Sequence, residues 1–446
     1  MSTSAARIAA YEILLRVERE GSYAAELLHS AWLTKLTSAD HGLATELVMG
    51  TLRWRSGLDT AIARSSSQRL DKLDDEVLTA LRLGAYQLGW LDRIPARAAI
   101  HESVELVKRA RKRSAVPFVN AILRKLSESL PRSPSHLDSI TAAETPSSLA
   151  IASAHPEWLV QRWYAQFGFA VTRQICRHNQ SIPVTSIRLR STSAPEELRR
   201  AGIGLTPGSF LINARRVLSG DVTKTQPCQE GNIAIQDEAS QLVAALVGQG
   251  KRILDGCAAP GGKTWAIADC NPNASIVALE LHAHRAKLLR KRVTSSNVQV
   301  VTSDIREFPL SDPFDCVLVD APCSGTGTLA RNPEIKWRLQ PADLADLRSR
   351  QLSILSAAMM HVAPRGKLVY ATCSLEKEEG ESVADEALQN NKFFHLRNGR
   401  DEIAQLRTQG LLSTNECGSF VDGPYLRTIP GIHPCDGFFV AILGRE

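Results

Sequence analysis

Two cysteines sit in settings that suit chemistry better than packing. Cys323 lies in Asp320-Ala321-Pro322-Cys323-Ser324-Gly325-Thr326-Gly327, and Cys373 in Tyr370-Ala371-Thr372-Cys373-Ser374-Leu375-Glu376. Each follows an apolar run that reads as a strand, and each has small polar neighbours. The thiolate is the reactive form, so a reactive cysteine needs positive charge or hydrogen-bond donors close by to populate it near neutral pH. The competing reading is a pair of buried small hydrophobes. Polar residues at the strand ends argue against it. If the two strands are neighbours in a sheet, both thiols face one cavity. A disulfide between them is disfavoured, because nine cysteines without a single C-x-x-C pair show neither a disulfide framework nor a zinc ribbon, and free thiols suit a reducing cytosol.

A second constellation lies upstream. Arg252-Ile253-Leu254-Asp255-Gly256-Cys257-Ala258-Ala259-Pro260-Gly261-Gly262-Lys263-Thr264 begins as an apolar strand and ends as a helix start. The loop between them is made of small residues, which let a ligand approach the backbone N–H groups and the helix N-terminus. The tail Gly262-Lys263-Thr264 matches a phosphate-binding loop, but that pattern needs glycine where the chain has Cys257. The dinucleotide pattern G-x-G-x-x-G is absent as well.

Acids at later strand ends extend this site. Glu280 closes the second strand at the offset where a carboxylate accepts both ribose hydroxyls. Asp304 closes the third and Asp320 the fourth. One acid at a strand end is weak, because turns favour aspartate. Three in register with a glycine loop point to a nucleoside cofactor. NAD requires a pyrophosphate site that the Pro260 loop does not provide. A sulfonium cofactor carries positive charge, which Asp255 and Asp320 favour. The candidate cofactor residues are therefore Cys257, Ala258, Ala259, Pro260, Gly261, Gly262, Lys263, Glu280, Asp304 and Asp320.

The elements that must hold these groups follow from periodicity. Apolar strands at Arg252–Asp255, Ser275–Leu279, Val298–Thr302, Asp315–Val319 and Lys367–Ala371 alternate with amphipathic helices such as His284–Val293 and Leu344–Met359. That alternation predicts a doubly wound parallel sheet, an α/β fold of Rossmann-like type, which binds ligands at the carboxyl ends of its strands. Residues 1 to about 130 read as all helix, with apolar faces at Ile8, Tyr11, Ile13, Leu14, Leu15 and Val17 and again from Val77 to Leu88. The cation run Lys108-Arg109-Ala110-Arg111-Lys112-Arg113, with Arg124-Lys125, suits phosphate contacts, the alternative being a solvated helix end. Leu130 to about Ser148, with Pro131, Pro134 and Pro146, reads as a linker. Residues 151–230 then predict a small α/β subdomain. It has a strand at Val184–Arg190 whose Arg188 and Arg190 share one face, directed at a phosphate backbone or at solvent. The expected organisation is 1–132 helical, 133–150 linker, 151–230 small subdomain and 231–446 catalytic domain.

Composition limits the class. With 446 residues, several domains are expected. A net charge of +6 permits a nucleic-acid partner. The first twenty residues carry Arg7, Glu12, Arg16 and Glu18, so a secretory apolar core is not expected there, and no run is long enough to span a membrane. A cytoplasmic monomer with no metal and no membrane partner is the expectation.

The loop Asp255–Thr264 resembles the S-adenosyl-L-methionine loop of RNA cytosine-C5 methyltransferases, and the Pro-Cys and Thr-Cys-Ser motifs resemble that family's two cysteine motifs. The resemblance implies that Cys373 is the nucleophile and that Cys323 serves release of the enzyme–RNA adduct. It also gives the thiols a purpose. Carbon 5 of cytosine is a poor nucleophile until a thiolate adds at carbon 6 and loads it with electron density. Lys263 is a candidate neighbour for that thiolate, and Asp320 is a candidate to hold N3 and the exocyclic amine. Arg7–Leu14 with Gly21–Ala24, and Ile94-Pro95 through Asn120–Arg124, are similar to the NusB-type RNA-binding helical domain. Together with Arg331–Arg338 and Asp436–Ala441, these stretches are similar to the bacterial Sun/RsmB group, whose substrate is small-subunit ribosomal RNA. The chain departs at Asn332, where relatives more often carry histidine; that implies an effect on substrate contacts rather than on the chemistry. Transfer of a methyl group to C5 of a cytosine in small-subunit ribosomal RNA is therefore expected. An NTPase, a transfer-RNA methyltransferase and a non-catalytic RNA-binding assembly factor are the alternatives.

Overall fold

The helix Ala5–Glu20 shows how the N-terminal stretch is built. The Ser4 hydroxyl accepts from the Arg7 N–H at its start, Gly21 closes it at φ 66°, and Ala6, Ala9, Ala10, Ile13, Leu14 and Val17 form its buried face. The chain is described from a computed structural model over residues 4–30, 33, 35–130, 135–310, 312–413 and 418–446. Two units result: Met1–Ile182 with Leu329–Arg338, and Pro183–Thr328 with Leu339–Glu446.

The first unit is helical, as its periodicity predicts. Ser38–Arg53, Ala96–Arg109 and Val116–Ser129 each bury one face, whereas Asp75–Trp90 is enclosed on all sides from Thr79 to Gly89. Each fully buried leucine or isoleucine there contributes about 1.5–3 kcal/mol. Three features differ from the sequence reading. The expected linker carries helices Ser135–Ala142 and Pro146–Ala152. Thr145 caps the second and Pro146 sits at its first turn, where a proline is tolerated rather than disruptive. Pro131 and Pro134 lie outside the described residues. The helix Glu157–Asn179, broken at Gly168 (φ 75°), belongs to this unit and not to a small subdomain. Finally, Leu329–Arg338 folds here although it lies deep in the catalytic half of the sequence. Lys336 Nζ donates to the carbonyls of Arg53 (2.8 Å) and Ala154 (2.9 Å), Trp337 Nε1 to Leu52 O (2.7 Å), and Glu334 Oε1 accepts from the Ala24 N–H (2.9 Å).

Much of the cation run is spent on ion pairs within the unit. Lys108 pairs with Glu105, Arg109 with Glu12 and Lys112 with Asp74. Arg111, Arg113, Arg124 and Lys125 stay exposed.

The second unit holds two sheets. The smaller orders its strands β2-β3-β1-β4, with β1 Thr185–Leu189, β2 Gly204–Pro207, β3 Ala214–Ser219 and β4 Ile233–Ile235, all antiparallel. Arg188 and Arg190 point neither to solvent nor to an open face. Both pair with Asp269, at 2.6 and 2.7 Å, and Arg190 lies 4.0 Å over the Trp265 ring.

The larger sheet carries the expected parallel strands β5 Arg252–Asp255, β6 Ser275–Glu280, β7 Val298–Thr302, β8 Phe314–Asp320 and β9 Val362–Thr372. Their order is β9-β8-β5-β6-β7, all parallel. The order reverses between β5 and β8, which opens a crevice at their carboxyl ends. Antiparallel strands extend the other side: β10 Phe394–Leu396, β11 Val421–Asp422, β12 Tyr425–Thr428 and β13 Phe438–Arg445, with β13 beside β9. The sequence reading stopped at β9.

Candidate active site

The loop after β5 is held from three sides. Gly256 N–H donates to Leu318 O (2.8 Å), and Ala258 N–H to Leu279 O (2.8 Å). A Cβ on Gly256 would lie 2.5 Å from Ile305 Cδ1, so a larger residue here requires the Ile305 side chain to move. Gly261, at φ 104°, starts the helix Gly262–Cys270. Thr264 Oγ1 in that helix donates to Asp255 Oδ2 (2.7 Å).

Asp255 is fully buried, and among the described residues no side-chain donor meets its Oδ1. Burial raises its pKa to about 6 against the opposing Thr264 hydroxyl. A buried carboxylate oxygen without a partner is expensive. It fits a ligand that brings an ammonium group. The other acids gather around the same loop: burial first, and then Asp255, Asp320, Glu280 and Asp304, push the Cys257 thiol up. Glu280 is buried, with Oε1 accepting from the His282 N–H (2.8 Å) and Oε2 at 3.8 Å from Arg285. Asp304 accepts from the Arg306 N–H (2.9 Å) and guanidinium, so a nucleoside amine would share it with Arg306. The carbonyls of Ala259 and Pro260 accept from Arg285 (3.4 Å) and Arg292 (3.2 Å).

The two cysteines meet because β8 and β9 are neighbours, with Asp320 beside Ala371 in register. Cys323 Sγ and Cys373 Sγ are 3.3 Å apart, both are free, and both are half-buried. The Gly327 N–H donates to Cys373 O (2.9 Å), and Thr326 Oγ1 accepts from the Leu375 N–H (2.9 Å), tying one cysteine loop to the other. Lys263 reaches the same place. Its Nζ donates to Asp320 Oδ2 (2.6 Å) and lies 5.0 Å from the centre of the Phe438 ring. Burial alone would lower the lysine pKa, but Asp320 and the Cys373 sulfur outweigh it, so the ammonium is retained. The Cys323 thiol is pushed well above the ordinary cysteine range. Its hydrogen bond with Cys373 is the largest cause, followed by burial and then the charges of Cys373, Glu379 and Asp320. One thiol holds its proton while a cation faces the other, an arrangement suited to a nucleophile and a separate proton carrier.

Residues 244–444 match the family described as 16S rRNA methyltransferase RsmB/F, and residues 4–128 match the NusB family. A Bacillus subtilis protein described as "Probable ribosomal RNA small subunit methyltransferase B" is 33% identical over 100% of both chains. The Vibrio cholerae ribosomal RNA small subunit methyltransferase B is 31% identical over 91% of this chain and 90% of its own. The chain belongs to the RsmB/F methyltransferase family. Among solved structures, PH0851 shares the fold at a TM-score of 0.81 and 22% identity, covering 99% of both chains. NSun6 from Pyrococcus horikoshii does so at 0.56 and 18%, covering 66% of this chain and 99% of its own. A NusB helical domain and a methyltransferase domain with a mixed α/β sheet are thus the architecture of this RsmB/F member.

Sequence reasoning passed over several residues beside the cysteines. Gln351 and Glu379 bond directly to the cysteine loops, and Thr326, quoted only as part of the run Asp320–Gly327, joins one loop to the other. Glu379 sits in the acidic run Glu376-Lys377-Glu378-Glu379, which reads as a solvated surface turn, yet it is fully buried. Phe438 was signalled only as part of the run Asp436–Ala441.

Proposed function

We propose that this chain transfers a methyl group from S-adenosyl-L-methionine to C5 of a cytosine in small-subunit ribosomal RNA, through a transient bond between Cys373 and C6. The observation that carries this reading is the meeting of the two sulfurs, 3.3 Å apart, beside the Lys263–Asp320 pair at the switch point of the sheet. The names of the relatives supply the ribosomal substrate, and the two-cysteine geometry supplies the chemistry.

The residues divide the work. Asp255, Glu280 and Asp304 would hold the cofactor's ammonium, ribose and base, and the backbone from Cys257 to Gly262 would line it. When bound, S-adenosyl-L-methionine presents an electrophilic methyl on a positively charged sulfur. Lys263 stabilises Cys373 as a thiolate, which adds to C6 and drives electron density to C5. Lys263 occupies Asp320 Oδ2, leaving Oδ1 to accept from the exocyclic amine. The target base must be unpaired or flipped to reach Cys373. Once Cys373 is bonded to carbon, it loses the charge and hydrogen bonding that hold the Cys323 proton. Cys323 then deprotonates more readily, takes the proton from C5, and the re-formed C5–C6 double bond expels Cys373. Arg111, Arg113, Arg124 and Lys125 are exposed cations of the helical unit available to RNA phosphates.

The purified protein incubated with S-adenosyl-L-methionine and small-subunit ribosomal RNA tests the reading. Bisulfite mapping should show one new protected cytosine. Methylation on another atom, or on transfer RNA alone, would refute it.

A further inference from the structure

Glu379 is fully buried in the turn Lys377–Glu379, just after the Thr-Cys-Ser motif. Its carboxylate receives four hydrogen bonds. Oε1 accepts from the Ser324 N–H (2.8 Å) and from Gln351 Nε2 (2.8 Å). Oε2 accepts from the hydroxyls of Ser324 and Ser374, the latter at 2.5 Å. Ser324 is the residue after Cys323, and Ser374 is the residue after Cys373. One side chain therefore grips both cysteine loops at the same offset. The two serine hydroxyls also lie 3.0 Å from each other, and Gln351 reaches back to Pro322 O (3.0 Å), the residue before Cys323.

A buried carboxylate is costly unless its lone pairs are all used. Here they are, and every partner donates. Glutamine in its place offers one acceptor oxygen and an amide that can only donate, so it cannot serve the same four groups. Charge-assisted bonds of this kind are short and directional. Two sulfurs 3.3 Å apart on separate loops gain from such a tie, because the Gly327–Cys373 and Thr326–Leu375 bonds join the loops on the far side of Cys323 and leave the residue after it to Glu379.

We propose that Glu379 is a positioning residue that clamps the Pro-Cys loop to the Thr-Cys-Ser loop and so sets Cys323 in register with Cys373. Its function in release rests on the two-cysteine reading above. The negative charge of Glu379 also helps keep Cys323 protonated, after the Cys373 hydrogen bond and burial.

The test compares wild type with Glu379→Gln in two assays on the full chain. The first needs no RNA. Diamide oxidises the Cys323 and Cys373 thiols to a disulfide; the sulfurs lose two protons and two electrons, and the azo bond of diamide takes both to become a hydrazine. Peptide mapping reads the rate at this pair. Because closely held groups react faster, wild type should couple about ten-fold or more faster than Glu379→Gln. The second assay reads the RNA adduct on a denaturing gel, where Glu379→Gln should accumulate the Cys373-linked species that wild type releases. Should Glu379→Gln not fold, Ser374→Ala, which deletes one of the four bonds, takes its place, with slower coupling expected. Equal coupling rates in folded wild type and variant overturn the clamp, even if the variant melts at a lower temperature. Slower coupling without any adduct in either protein upholds the clamp and rejects the cytosine-C5 reading.

Discussion

Cys323 Sγ and Cys373 Sγ stand 3.3 Å apart at the ends of the neighbouring parallel strands β8 and β9, close enough to share a proton. Their inequality has a pH consequence. Cys323 must lose its proton before it can accept the one on C5, and in the adduct, where Cys373 no longer acts on it, burial and the charges of Glu379 and Asp320 still hold its pKa up. Release should therefore speed up as pH rises, and the RNA adduct should be longest-lived at the acidic end of the working range. Quenched-flow gels at stepped pH check this. An adduct lifetime that lengthens with pH would contradict it.

Lys263 keeps its charge in a buried setting because Asp320 and the Cys373 sulfur face it. Lys263→Met removes the cation and leaves the half-buried Asp320 without its partner, a loss on the order of 1–3 kcal/mol. The variant should bind RNA with little change, attack roughly 100-fold or more slowly, and have its pH–rate profile displaced to higher pH. Single-turnover methylation against pH reads all three.

Asp255 gives opposite signs for stability and binding. Its folded pKa near 6 lies above the unfolded value of about 3.9. Between those values the folded chain retains a proton that the unfolded chain has lost, so stability falls as pH rises through this window, by about 2–3 kcal/mol in all. Cofactor affinity should move the other way, strengthening as the carboxylate ionises to meet the ammonium. Denaturation and calorimetry from pH 4 to 7 measure both, and Asp255→Asn should flatten both curves.

Lys336 ties the inserted segment into the helical unit through two carbonyls. Gln180 also donates to Arg53 O (3.0 Å), so truncation orphans chiefly Ala154 O. Lys336→Ala should destabilise the helical unit by about 1–3 kcal/mol, read by urea denaturation followed through tryptophan fluorescence.

The parallel strands and the acids at their ends were legible because burial on both faces writes continuous apolar runs that stop at polar residues. Asp255, Glu280, Asp304 and Asp320 were found that way. The antiparallel β11 and β12 were not, since they have two and four residues, too short for a period to show, whereas the apolar run of the eight-residue β13 carries the same signal and was passed over. Pro146 was read as a linker residue because a first-turn proline and a helix-breaking one look alike in one dimension. Arg188 and Arg190 shared a face as expected, but alternation cannot reveal that Asp269, some eighty positions on, would neutralise them. Glu379 and Lys336 escaped for the same reason: their sequence surroundings are those of solvated charge, and only the fold encloses them.

The most direct measurement sets Cys323→Ala beside Cys373→Ala, each mixed with S-adenosyl-L-methionine and small-subunit ribosomal RNA and run on a denaturing gel. Cys323→Ala should attack and methylate once but turn over roughly 100- to 10,000-fold more slowly, giving a retarded protein–RNA band. Cys373→Ala should give neither band nor methylated cytosine. A band from Cys373→Ala, or full turnover without it, would contradict the account.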